Sequence, residues 1–220
     1  MEPPLPQHPS RTALPEHRWP AVAMLLLALA LYALLPPGQI LGPQRYLVVA
    51  FGIALIVPLV AVNPHRLTRQ TKWSRAISVA FALGLVITNQ ATLLLLIIAL
   101  VSGGRNAPGG LLLGALQVWV VNVIGFTTLF WELDRGGPVI RTTSARAELP
   151  PADFRFPQDE DDDAVAEVAA GSSAIRDWTP RFVDYFYSTL SNSMAFSATD
   201  AMPLSPRFKL LMALQRSGAS

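Results

Sequence analysis

Four stretches of nearly unbroken apolar character, residues 20–35, 46–62, 76–101 and 110–131, dominate the first 131 positions, and nearly all of the charge falls between or after them. About 20 apolar residues in a helix cross roughly 30 Å of hydrocarbon, so such runs read as membrane-spanning helices. Lipid cannot pair backbone amides and carbonyls, which makes the helix the conformation open to so continuous an apolar run. Composition agrees: 51% of the 220 residues are hydrophobic and 15% charged, too apolar for an ordinary soluble domain. The expected fold class is an all-α membrane protein with about four transmembrane helices, a C-terminal re-entrant or interfacial helix, a disordered N-terminal tail and a cytoplasmic loop.

Residues 1–19 are rich in proline, with Arg11 and Arg18 ahead of the first apolar run, and predict a disordered tail. Residues 20–131 form the expected four-helix transmembrane domain. Its first helix reads as uncleaved, because Pro36, Pro37 and Gly38 come after it without a small-residue cleavage site. Pro58 predicts a kink in the second. His65, Arg66, Arg69, Lys72 and Arg75 crowd the second connection, against Arg45 in the first and Arg105 in the third. That bias puts the second loop and the N-terminus in the cytoplasm, with Trp131 as an interfacial anchor where the fourth helix returns. Residues 132–177, with Pro150, Pro151 and the acidic run Asp159 to Asp163, read as a polar acidic cytoplasmic linker. Residues 178–220 read as a pore-loop-like or interfacial helical segment, because Trp178 to Leu190 is aromatic but the stretch from Ser191 onward is too polar and too short to cross.

Several chemistries find no support. The net charge of +2 gives no basic face for nucleic acid, and the chain has no cysteine for a thiolate site or a disulfide. His8, His17 and His65 stand apart, without partners at metal-ligand spacing, and contiguous carboxylates lack the alternation and glycine turn of a calcium loop. No metal or cofactor is expected. The glycine-rich stretch from Ser102 to Gly110 lacks the Lys and Ser or Thr that grip phosphate and reads as a turn. Glu132 and Asp134 are two residues apart on a helix, so they point to different faces and make no catalytic pair. No enzymatic activity is expected.

The stretch from Tyr185 to Asp200, YFYSTLSNSMAFSATD, resembles the C-terminal signature of a large uncharacterised family of bacterial multi-pass inner-membrane proteins, in which an aromatic helix leads into a Met-Thr-Phe-Gln-x-Ser-Asp type sequence. Trp131 to Pro138, WELDRGGP, and Ala195 to Leu204, AFSATDAMPL, resemble an actinobacterial branch of it. The resemblance implies a bacterial inner-membrane location but no activity, and related sequences continue into a last helix. The segment is also similar, more weakly, to potassium-channel pore loops: Asp200, Ala201, Met202, Pro203 and Ser205 match their frame after the filter. Ser197, Ala198 and Thr199 stand where Gly-Tyr-Gly would be needed, so potassium selectivity is not implied.

Two functions fit these readings. One is a transport or pore-like protein whose polar lining is drawn from Asn89, Gln90, Gln117, Asn122, Ser193, Ser197, Thr199 and Asp200; against it, amides and hydroxyls commonly just bridge membrane helices. The other is a non-catalytic scaffold whose acidic loop recruits a cytoplasmic protein. The lipid bilayer is the expected partner in both, with self-association into a homo-oligomer as a further expectation.

Overall fold

The computed structural model describes residues 12–34, 44–62, 65–68, 71–101, 108–160, 163–194 and 201–218. Four long helices come first: α1 Trp19–Leu34, α2 Gln44–Val62, α3 Lys72–Val101 and α4 Pro108–Leu133. After them come α5 Ile140–Thr143, the short strand β1 Phe154–Arg155, α6 Ala166–Ala169, α7 Ser173–Arg176, α8 Phe182–Ser193, β2 Met202–Pro203 and α9 Pro206–Ser217. The described residues are thus mostly helical, with a single two-residue antiparallel ladder that sets Phe154 opposite Pro203 and Arg155 opposite Met202.

Each of the four apolar runs becomes one helix, with ends within a few residues of those expected. Two stretches, Lys72–Ile98 and Gly110–Gly136, are long and apolar enough to cross a membrane. At 27 residues each they would extend about 40 Å. Only 39% of the first apolar window and 56% of the second is buried within the fold, so long apolar faces stand outward, carrying Leu94, Ile97, Ile98, Leu112, Leu113 and Leu116. α1 is apolar but shorter, and α2 continues through Pro58 without a break.

α3 and α4 form the most extensive helix pair; α1 packs on α2 and α4, and α8 packs along α4 with α9 beside it. One apolar cluster fills the seam of α1 to α4, with Leu25, Leu29, Tyr32, Ile56, Phe81, Leu85, Val121 and Ile124. A second sits at the Trp131 end of α4 and is largely aromatic. Phe130, Phe154 and Phe208 meet in pairs with ring centroids 5.0–5.2 Å apart, and Phe154 and Phe156 both approach Tyr185. Such pairs contribute roughly 0.5–1.5 kcal/mol each beyond the area they bury.

This second cluster corrects the expectation of a solvated linker and a loose tail. Phe154 is fully buried and Phe156 nearly so, and the polar residues around them form ion pairs, Arg135 with Asp159, Arg146 with Asp177 and Arg207 with Asp153. Prolines and charges suggested a segment with nothing to bury, but Phe154 and Phe156 dock on the aromatic core and the ion pairs hold the chain around them. Residues 12–18 are held as well. His17 pairs with Arg66, the Arg18 N–H donates to the His65 carbonyl at 3.2 Å, and the Leu67 N–H donates to the Glu16 carbonyl at 3.0 Å. Residues 1–11, Arg69, most of the glycine-rich turn and Asp161 and Asp162 lie outside the described residues.

Candidate functional site

α8 and α9 enter the bundle from the same end. At the start of α8, Phe182 stacks edge-on to Trp131 in the last turn of α4 and the Tyr185 hydroxyl donates at 2.6 Å to Asp134, just past its end. One turn further on, the Thr189 and Thr127 hydroxyls meet. At its tip the Asn192 amide donates to the Met212 carbonyl at 3.1 Å and to Gln215 Oε1 at 2.9 Å. α9 takes the same course. It starts beside the β1–β2 ladder, where Arg207 pairs with Asp153 and Phe208 stacks on Phe130, and it ends near Asn122. Both helices therefore stop near the middle of α4, C-terminal ends first.

The tips are tied to the long helices by amides. Asn122 donates to the Gln215 carbonyl at 3.0 Å and accepts from Gln90 at 3.3 Å, while Gln215 donates to the Thr189 carbonyl at 2.6 Å. Gly218 lies so close that a Cβ there would sit 3.1 Å from both amide atoms of Gln90. One network thus joins α3, α4, α8 and α9. Of the eight residues singled out from the sequence, Asn122 and Gln90 belong to it. Ser193 is beside it, with its hydroxyl turned back to the Leu190 carbonyl. Asn89 is separate, donating to the Val118 carbonyl at 3.2 Å, and Gln117 is buried with neither side-chain atom hydrogen-bonded among the described residues. Ser197, Thr199 and Asp200 lie outside the described residues.

Asn192 and Gln215 complete the network and were not among the sequence candidates. Their helical spacing carried the signal: Phe182, Tyr185, Thr189 and Asn192 share one face of α8, and Phe208, Met212 and Gln215 one face of α9. A polar residue that continues an apolar stripe is a buried polar residue.

The end of α4 carries a second, ionic cluster. Arg135 adopts φ 50° and Gly136 φ 81°, so the helix stops in a left-handed turn that the Gly-Gly-Pro sequence favours. The turn aims Asp134 inward, where its carboxylate accepts from Tyr185 and from the N–H groups of Asp153 and Phe154 at 2.7 and 3.3 Å. Arg135 reaches Asp159 at 2.5 Å and the Phe154 carbonyl at 3.1 Å. Burial by itself would raise the Asp159 carboxyl. The Arg135 guanidinium outweighs it and, with the Phe156 N–H and the Ser173 hydroxyl, holds that carboxyl below the usual range. Arg141, fully buried, lies over the Tyr185 and Trp131 rings at 5.0 and 5.8 Å and donates to the Trp131 carbonyl at 2.7 Å. Glu132 faces elsewhere, into a cavity of about 30 Å³ lined by Arg18, Ser78, Thr128 and apolar residues of α1 and α2, room for one or two waters. Glu132 and Asp134 accordingly serve different surroundings.

No family model matches the chain, and neither a curated protein nor a solved structure matches it.

Proposed function

We propose that this chain is a multi-pass bacterial inner-membrane protein with four crossing helices, its N-terminus cytoplasmic, related to the uncharacterised family its motifs resemble, and that it passes small cations. The observation carrying this reading is the pair of half-length helices, α8 and α9, that run in from one end of the bundle and stop level with Asn122. Non-helical backbone at membrane depth is tolerated where protein or water lines it, and broken helices meeting near the midplane are a recurring device of transport sites. Both half-helices present their carbonyl ends to that level, where the helix dipole concentrates partial negative charge and favours a cation. Because the side chains of Asn89, Gln90, Asn122 and Ser193 are hydrogen-bonded within the bundle, Gln117 is left as a lining candidate, together with Ser197, Thr199 and Asp200, which lie outside the described residues.

The scaffold reading gains less. Asp159 is held by Arg135, and Glu160 pairs with Arg155, so both carboxylates that open the acidic run are turned to the protein's own arginines. Purified protein in liposomes tests the proposal: cation flux that Asp200→Ala abolishes supports it, and a bilayer that stays tight to both cations and anions overturns it.

A further inference from the structure

At the end of the bundle where α1 begins, the extended segment through Leu14 to His17 divides two adjoining grooves. The one toward α1 has a volume of about 380 Å³, and its lining includes Leu14, Glu16, His17, Arg66, Arg181 and Val183; the other, of about 580 Å³, shares Leu14, Arg181 and Val183 and adds Arg176, Asp177 and Asp184. His17 and Arg66 are directly opposed in an antiparallel bridge, which sends both side chains to the same side. Arg181 lines the same groove. Among the described residues neither Arg66 nor Arg181 makes an ion pair.

The nearby carboxylates are turned to other partners. Glu16 accepts from Trp131 Nε1 at 2.9 Å and from the Phe182 N–H at 2.5 Å, with Arg141 at 3.6 Å. Asp177 accepts from the N–H groups of Thr12 and Ala13 and from Arg146. Asp184, at the rim, accepts from the Arg181 N–H at 2.6 Å. What the groove presents is therefore the Arg66 guanidinium, the Arg181 guanidinium, which also attracts the Asp184 carboxylate, and an imidazole between apolar walls, with Leu14 64% and Val183 63% exposed. Trp19 and Trp73, 52% and 80% exposed, flank this end of the bundle as interfacial side chains do.

We infer that this groove binds the headgroup of an anionic phospholipid of the inner leaflet. The phosphate lies between Arg66 and Arg181, and Leu14 and Val183 take the glycerol and first methylenes. Guanidinium forks suit a phosphate oxygen pair, and the exposed leucine and valine would be wasted on a free ion. The inference rests on the membrane reading above and is independent of cation passage.

The test uses the full chain in nanodiscs of phosphatidylcholine, with or without phosphatidylglycerol, read by thermal unfolding and by lipid retained in native mass spectrometry. Phosphatidylglycerol should raise the unfolding midpoint and stay bound. Arg66→Gln with Arg181→Gln should weaken its retention roughly thirtyfold, at about 1 kcal/mol per basic residue at an anionic surface, without lowering the midpoint in phosphatidylcholine. Lys72→Gln with Lys209→Gln, which removes the same charge outside the groove, should leave retention unchanged. Equal loss in both pairs, or no loss in the first, overturns the site. So does an equal upward shift with inorganic phosphate alone. A chain that inserts into neither nanodisc sinks the membrane reading, a separable failure.

Discussion

Asp134 shows how much one side chain settles at the end of α4. It is fully buried, and its two oxygens take up the Tyr185 hydroxyl and two backbone N–H groups. A hydrogen bond to a charged group is worth about 1.5–3 kcal/mol, so Tyr185→Phe should lower the thermal midpoint in detergent by a loss of that order. Gly136 is constrained by geometry instead. At φ 81°, a Cβ would meet Ile140 Cγ2 at 3.0 Å and Pro150 Cγ at 3.2 Å, so Gly136→Ala should destabilise, by roughly 1–3 kcal/mol for a strained backbone position. Acid should act through Asp159. Its folded-state carboxyl is held below its unfolded value, so the stabilisation is complete above the ordinary carboxylate range, near 4, and is lost as pH falls through the folded value. Unfolding midpoints measured down that range should fall more steeply for the native protein than for Asp159→Asn.

At the level of elements, the tips of α8 and α9 depend on amides of α4 and α3, and two neighbouring amides of α4 should behave oppositely. Asn122 holds α9 through the Gln215 carbonyl, so Asn122→Leu leaves that carbonyl with the Gly218 N–H alone and takes the Gln90 amide's acceptor away, and should destabilise by about 1–3 kcal/mol. Gln117 is buried without a side-chain hydrogen bond among the described residues, on the same face of α4 as Val121 and Ile124. Gln117→Leu should be neutral or stabilising, and a stability loss as large as that of Asn122→Leu would mean that Gln117 holds a ligand or an ordered water. Comparing the two midpoints in one detergent decides it. Among elements, the long helices were plain in the residue pattern because apolar continuity alone dictates them. The C-terminal region was legible only as one re-entrant or interfacial helix and not as the separate α8 and α9, since each buries only one narrow face, against residues far away in the chain.

For the whole molecule, the proposed four crossings would put the Arg66 loop inside and the first and third connections outside. The absence of cysteine makes labelling free of background. Thr68→Cys should be shielded from a membrane-impermeant thiol reagent in intact cells, while Gln39→Cys and Ser102→Cys should react. Labelling of Thr68→Cys in unbroken cells would reverse the orientation, and release of the protein by alkaline carbonate would remove the membrane from the account altogether.

Apolar run length determined by itself where the long helices lie, because burial in a long greasy segment is a property of consecutive residues. The interior positions of Asn89, Gln90, Gln117 and Asn122 were likewise legible as polar groups in need of partners, though not which partners. Only the tertiary structure decided that residues 12–18 and much of 134–177 are part of the fold, and that α8 and α9 are two half-length helices entering from one end. Those outcomes depend on contacts between residues 50 to more than 160 positions apart, such as Tyr185 with Asp134 and Phe182 with Glu16, and no local pattern encodes a partner at that distance.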